Sequence, residues 1–387
     1  MKNKGIYFDN AATTQLDTRV LDAMIPYFIE NYGNASSMHD FGSKAKVALL
    51  NSRKTIADAI LALPEEIIFT SSGTEANNLA LKGVALANRS KRNHIIVSSI
   101  EHDCILNTSH FLEEEGFRVT YLPVDSSGII DPKLLEDAIR PDTLLASVMH
   151  VNNEIGTIQP LEEIGEICHQ NGVLFHSDAC QSFGKIPINV LSQNIDLLTL
   201  NAHKMYGPKG VGALYIRKET KINTLLHGGG QESGLRSSTE NIPAIAGFAK
   251  STELCIEEMA TESKRIQAMR DYLAEYLFEN YADIYINGSQ DQRLYNNLNF
   301  SIHGLEGETI RLLLLLDEMG IAVSAGSACS SNDKSNNTSH VLKAIGLNQF
   351  EARGAVRVTF GRYNTMEEVK NFTQALGSVI SQLKSIF

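Results

Sequence analysis

Seven short apolar runs between Ile67 and Ile216 constrain this chain more than any other feature. They are Ile67–Thr70, His94–Ser99, Arg118–Val124, Thr143–Met149, Gly172–Asp178, Ile195–Leu200 and Val211–Ile216. Each has the length of a strand, and helical stretches lie between them. Strands that are apolar along their whole length need cover on both faces, and helices supply it. The pattern therefore predicts an α/β architecture around a mostly parallel sheet. A chain of 387 residues, 43% of them hydrophobic, can bury such a sheet and still form more than one domain. From about Asn241 the signal changes. A long helical pattern runs through Ile245–Phe278, followed by separate strands at Asn296–Ile302 and Ala355–Phe360. Further helices are expected around Glu306–Met319 and Glu367–Ile386, which makes a smaller α+β domain with the long helix as hinge.

Charge and cysteine usage exclude several classes. The net charge is −11, and no Lys/Arg block offers a surface for a nucleic-acid backbone. The five cysteines are Cys104, Cys168, Cys180, Cys255 and Cys329; their number is odd and none forms a CxxC pair. Neither a disulfide framework nor a zinc or other metal site is expected, and a reducing, cytoplasmic setting fits. Residues 1–10 contain no apolar run of the signal-peptide kind. The run Leu312–Leu316 is far too short to span a bilayer, so no membrane partner is expected.

Four constellations carry chemistry. Phe69–Asn78 reads as strand end, glycine turn and helix start, where free N–H groups and the helix dipole suit a phosphate. The plain alternative is a strand–turn–helix capped by Thr74. In His176–Ser182, Asp178 stands where a buried strand enters a loop, and it would keep a pyridinium nitrogen protonated there; a turn aspartate is the alternative. Lys204, in Asn201–Gly210, follows an apolar strand, and partial desolvation would make it a nucleophile for a carbonyl, against the alternative of a surface lysine. Ser324–Ser331 holds Cys329 among small residues, as an accessible thiol or an inert buried one. Arg357, on a strand, has the planar fork that clamps a carboxylate or forms a structural ion pair.

Taken in chain order, these motifs resemble the cysteine desulfurases of the NifS/IscS kind, within the fold-type I, class-V aminotransferase-like pyridoxal-phosphate enzymes. The resemblance runs from Tyr7–Thr14 to Gly361–Val369 through "SSMHDFG", "TSSGTEANN", "IEHD", "MHVNNEIGTIQP", "HGGGQESGLRSSTEN" and "SAGSAC". It implies a mostly parallel seven-stranded sheet in a large cofactor domain, residues 15–256. Residues 1–14 and 257–387 would form the small domain with a mobile Cys329 loop.

The same resemblance implies residue roles. Lys204 would carry pyridoxal phosphate as a Schiff base, Asp178 would pair with the ring nitrogen, and Gln181 would bond the phenolic oxygen. His102 would stack on the ring and move protons, with Asn153 beside it. Gly73, Thr74, Asn201 and His203 would surround the phosphate, and Thr239 would reach the phosphate of a second subunit in a homodimer. Asn10, Ala11, Ala12, Asn153 and Arg357 would meet the substrate, L-cysteine. Cys329 would accept the sulfur as a persulfide, alanine would leave, and an iron–sulfur scaffold or other acceptor protein would receive the sulfur. The alternatives are a selenocysteine lyase or another related aminotransferase or lyase. Departures from the family pattern are Asn201 where serine is usual, the extra thiol of Cys180, and a stretch after Cys329 that is slightly longer and lacks "LEPS". The chain also ends without the longer tail of some relatives. The segment Ser330–Ser339 has no apolar side chain, and Gly326 is a candidate hinge before Cys329, so mobility is expected there.

Overall fold

A computed structural model describes residues 5–325 and 338–385 of the chain. Cys329 and Gly326 lie outside the described residues, and so does most of the segment expected to be mobile. Its last two residues, Thr338 and Ser339, are described and buried, and Ser339 caps helix His340–Ala344 and donates to Glu154 at 2.6 Å, so the expected mobility does not extend to them.

The seven apolar runs form one seven-stranded sheet. Its order is Ile67–Thr70, Gly212–Ile216, Leu197–Asn201, Leu174–Asp178, Thr143–Ser147, His94–Ser98 and Arg118–Leu122. The strands from Leu197–Asn201 to Arg118–Leu122 pair in parallel, and Gly212–Ile216 runs antiparallel to both its neighbours. Alternate side chains enter two different apolar clusters. Ile67, Phe69, Ile96, Ala146 and Leu198 pack on one side. Ile68, Ile95, Val97, Leu145 and Leu197 pack on the other. This is the period of a pleated strand with both faces covered, which is why these runs are apolar throughout.

Helix Ile242–Asn280 carries Pro243 in its first turn, where a missing N–H costs nothing, with the Asn241 side chain accepting from the Ala244 N–H. Its first turns bury Ile242, Ile245, Phe248 and Cys255 in the core of the large sheet. Farther along, Ile266, Met269, Leu273 and Leu277 belong to a different core with Phe8, Phe300, Phe360 and Phe372. That second core lies on a three-stranded antiparallel sheet, ordered Ala355–Thr359, Asn297–Ile302, Ile284–Ile286. Helices Thr309–Glu318 and Met366–Lys384 supply its other apolar side chains. Thr365 and Glu368 form a reciprocal capping box at the start of Met366–Lys384, and loss of such a cap costs about 1 kcal/mol. The amino-terminal strand Ile6–Tyr7 pairs with Ile321–Ala322, which brings residues 9–14 back across the large sheet. Among the described residues no helix is long and apolar enough to cross a membrane.

Candidate active site

Four parallel strands and the edge strand Ile67–Thr70 all end at one rim of the large sheet. The connections that leave there carry Gly73, His102, Asn153, Asp178 and Lys204. A cleft beyond the carboxyl ends of parallel strands is where open α/β sheets hold ligands.

Asp178, the last residue of Leu174–Asp178, is 6% exposed. Its Oδ1 accepts from the Cys180 N–H at 2.8 Å and its Oδ2 from the Asn77 amide at 2.7 Å. Burial alone would raise its pKa. The bonds from Cys180 and Asn77 and the charge of Lys204 outweigh burial and hold the carboxyl below its ordinary value. Among the described residues Asp178 has no ion pair within salt-bridge distance. It is an ionised carboxylate held by neutral donors.

Lys204 lies in the turn after Leu197–Asn201, half-buried and without an ion pair among the described residues. The turn is stitched to the amino-terminal segment: Thr14 donates through its N–H and its hydroxyl to the His203 carbonyl, at 2.8 and 2.9 Å, and Tyr206 N–H donates to Thr14 Oγ1 at 2.7 Å. His203 Nδ1 lies 3.2 Å from Thr13 Oγ1, and burial followed by the Lys204 charge lowers its pKa to about 4.

His102 caps helix Asp103–Glu114, its Nδ1 accepting from the Cys104 N–H at 3.1 Å. Burial and the nearby Lys204 charge lower its pKa, so the ring is neutral near pH 7. The preceding Glu101 is fully buried, and one of its oxygens accepts from Ser98 Oγ and Met149 N–H, each at 2.6 Å. Burial pushes this carboxyl up to about 8.

Helix Gly73–Asn88 begins where the sequence places an anion site, but its cap is Ser72, which accepts from Glu75 N–H; Thr74 is already inside the first turn. The N–H groups of Gly73 and Thr74 have no intrahelical partner by helix geometry. A Cβ at Gly73 would stand 2.6 Å from Cys180 Sγ and 3.5 Å from Asn201 Nδ2, so only glycine fits. Asn201 Oδ1, Asn77 Oδ1 and Ser177 Oγ are buried without a partner among the described residues.

The remaining expected residues sit on the opposite wall. Gln181 donates to the Ala11 carbonyl at 2.9 Å, and Asn10 and Ala11 bond Thr359. Asn152 ties its loop together by accepting from Glu154 and Ile155, while Asn153 offers its carbonyl to Arg357 Nη1 at 2.9 Å. Arg357 is 2% exposed and paired with Asp9 at 2.7 Å, and its Nε has no partner. The structural ion pair thus exists, and the guanidinium, which carries five N–H donors, still has its Nε–H without a partner among the described residues. Thr239 is exposed and makes no side-chain bond to any of these groups.

Sequence reasoning missed Asn77, Cys104, Glu101 and Asp9. Asn77 had a usable signal, a polar side chain at a position where its helix faces the core; Glu101, in the connection between a strand and a helix, had none. Asp9, 348 residues from Arg357, had none.

The chain is similar to known proteins along almost its whole length. Residues 6–372 match the family described as "Aminotransferase class-V". The protein "Cysteine desulfurase IscS" of Dictyoglomus turgidum is 49% identical over 381 residues, which cover 98% of this chain and 96% of that one. Its namesake in Methanosarcina thermophila is 48% identical, covering 100% of this chain and 94% of that one. A solved structure titled "NIFS-LIKE PROTEIN" superposes with a TM-score of 0.91 at 39% identity, over 97% of this chain and 99% of that chain. Another, "SspA in complex with cysteine", gives a TM-score of 0.83 at 40% identity over 93% of this chain and 100% of that chain.

Proposed function

The chain belongs to the class-V aminotransferase family, and from that premise we infer that it is a cysteine desulfurase working with pyridoxal phosphate. The observation that supports the cofactor is Asp178. A buried carboxylate that is hydrogen-bonded by neutral donors, and kept ionised by them and by the nearby Lys204 charge without an ion pair among the described residues, fits a cationic N–H partner, and a pyridinium is one. Lys204 at the neighbouring strand end fits the aldehyde. Gly73, Thr74, His203 and the side-chain amide of Asn201 would surround the phosphate. When bound, the cofactor draws electron density from the substrate's α-carbon.

The chain's own groups do the rest. Asp178 holds a proton on the ring nitrogen by its charge. Gln181 donates one amide hydrogen to the Ala11 carbonyl and has a second with which it would bond the ring oxygen. His102 would cover the ring, and Asn153 would lie beside it. Lys204 moves the proton at the substrate α-carbon. Arg357 takes the substrate carboxylate, with Asn10, Ala11 and Ala12 forming the adjacent wall. Cys329, assigned from sequence alone, takes the sulfur: the substrate C–S bond breaks, an S–S bond forms on Cys329, and L-alanine leaves. The persulfide then passes to an iron–sulfur scaffold or another acceptor protein. The working unit is a homodimer, in which the exposed Thr239 reaches the phosphate of a second copy. The large domain comprises 15–256, and 1–14 with 257–387 form the small one; the change of core along Ile242–Asn280 supports that division.

Borohydride reduction tests the cofactor assignment, and an assay with L-cysteine and a thiol reductant tests the reaction. The reduced cofactor should be found on Lys204, and Lys204→Ala should lose both the visible band and the release of alanine and sulfide in equal amounts. A colourless protein that takes up no pyridoxal phosphate, or a label on another lysine, overturns the reading.

A further inference from the structure

Between His102 and Asp178 runs a chain of side chains that the reaction as described leaves unused. Asn77 stands one turn into helix Gly73–Asn88 and is 1% exposed. Its amide nitrogen lies 2.7 Å from Asp178 Oδ2 and 3.2 Å from Cys104 Sγ. Cys104 Sγ in turn lies 3.1 Å from His102 Nδ1.

The direction of every bond in this chain is forced. An ionised carboxylate only accepts, so Asn77 must present its NH2 end to Asp178. The second hydrogen of that NH2 then meets the Cys104 sulfur. Nδ1 of His102 already accepts the Cys104 backbone N–H, so it is the acceptor for the thiol hydrogen, with the sulfur 3.1 Å away. Nδ1 thus receives the Cys104 backbone N–H and the thiol together, and the single proton of the neutral ring must reside on Nε2. Burial pushes the Cys104 thiol up to about 12, so it keeps its hydrogen at any working pH. Nε2 bonds nothing among the described residues and is the atom left to meet a ligand.

We propose that Cys104 and Asn77 are positioning residues that transmit the orientation of the Asp178 carboxylate to His102 and hold the imidazole as its Nε2–H tautomer. His102 then faces the cleft as a hydrogen-bond donor with no lone pair on offer, and the base at the substrate α-carbon is Lys204. This rests on the cofactor reading for the roles of His102 and Asp178, but the relay itself belongs to the chain alone.

The test is therefore made on the full chain stripped of cofactor, and repeated with pyridoxal phosphate bound. Nitrogen-15 NMR of histidine-labelled protein distinguishes a protonated Nε2 from a protonated Nδ1. The groups facing His102 are Lys204, Asp178, Asp103 on its own helix and His340 on helix His340–Ala344, and none is altered in the variants used. The expected result is Nε2–H in the wild type. Cys104→Ala removes one donor to the neutral ring and should raise the His102 titration midpoint by about half a pH unit, the shift a net hydrogen bond of ordinary strength supports. Cys104→Ser restores a donor and should return the midpoint to the wild-type value. Asn77→Leu should raise it as Cys104→Ala does, and the double variant should go no further. A thiol that only fills space would alter thermal stability and leave midpoint and tautomer alone. An Nδ1–H tautomer in the wild type, or an unchanged midpoint in Cys104→Ala, overturns the proposal. The wild-type measurement decides even if a variant fails to fold. Failure of the cofactor reading would show separately, as no uptake of pyridoxal phosphate by a protein whose His102 still behaves as stated.

Discussion

The floor and the far wall of the cleft are built on different principles. The floor is Asp178, Asn77, Cys180, Cys104 and His102, all on ends of elements of one sheet layer and joined by neutral donors at 2.7 to 3.2 Å. The wall is Asp9, Ala11, Asn153 and Arg357, brought together by partners 170 to 348 residues apart in the chain, and its principal contact is an ion pair. A floor whose groups bond one another at close range, with Asp178, Asn77 and Cys180 buried and Cys104 and His102 half-buried, has few alternative arrangements. A wall held by one ion pair and a few carbonyls can exchange a partner, as a site that admits a charged substrate must. The difference assigns separate kinetic signatures: floor substitutions should reduce turnover or cofactor affinity, and wall substitutions should act on KM.

The largest effect is expected at Asp178. Asp178→Asn removes the charge that keeps the ring nitrogen protonated while leaving shape almost unchanged. Turnover should fall well beyond tenfold at full cofactor occupancy, where tenfold is about 1.4 kcal/mol of barrier, with KM for cysteine near wild type. Wild-type turnover in this variant would break the distinction between floor and wall. A smaller loss is expected from crowding the floor. In Gly73→Ala the new Cβ meets Cys180 Sγ at 2.6 Å, and overpacking of this kind costs about 1–3 kcal/mol. Cofactor titration should show affinity reduced by about tenfold, and Cys180→Ala in the same chain should recover most of it. If the double variant binds no better than Gly73→Ala, the phosphate contact and not the sulfur requires glycine at this position.

What the sequence makes legible follows the same division. Asp178, Lys204, His102 and Gly73 each sit within a few residues of an apolar strand, and strand ends on one sheet edge converge without further information. The seven runs and the mostly parallel sheet they form are legible because a strand buried on both faces has to be apolar throughout; the order of the strands and the antiparallel run of Gly212–Ile216 are not. The helix cap is less so: Ser72 and Thr74 are both good caps, and only the backbone turn at Ser72, extended at φ −172, decides between them. The relay through Asn77 and Cys104 is hidden because it crosses between two helices. The pair Asp9–Arg357 is hidden because nothing local to either residue points to the other, and it forms only once Ile6–Tyr7 has paired with Ile321–Ala322.

The smallest effect, and the one that best separates wall from floor, is at Arg357. Arg357→Lys keeps the positive charge beside Asp9 and should leave the fold intact, but it replaces a planar fork by a point charge. The substrate carboxylate loses one of two parallel bonds, so KM for cysteine should rise several-fold, about 1 kcal/mol, with kcat nearly unchanged. Asp9→Asn supplies the control. It removes a competing partner for the guanidinium, so KM should stay the same or fall while the folded protein loses some stability. If Arg357 served only the ion pair, the two substitutions would act alike: both would lower stability, and neither would move KM. Steady-state kinetics and thermal unfolding of the two variants side by side decide it, since a rise in KM confined to Arg357→Lys is an effect that only a residue touching the substrate can produce.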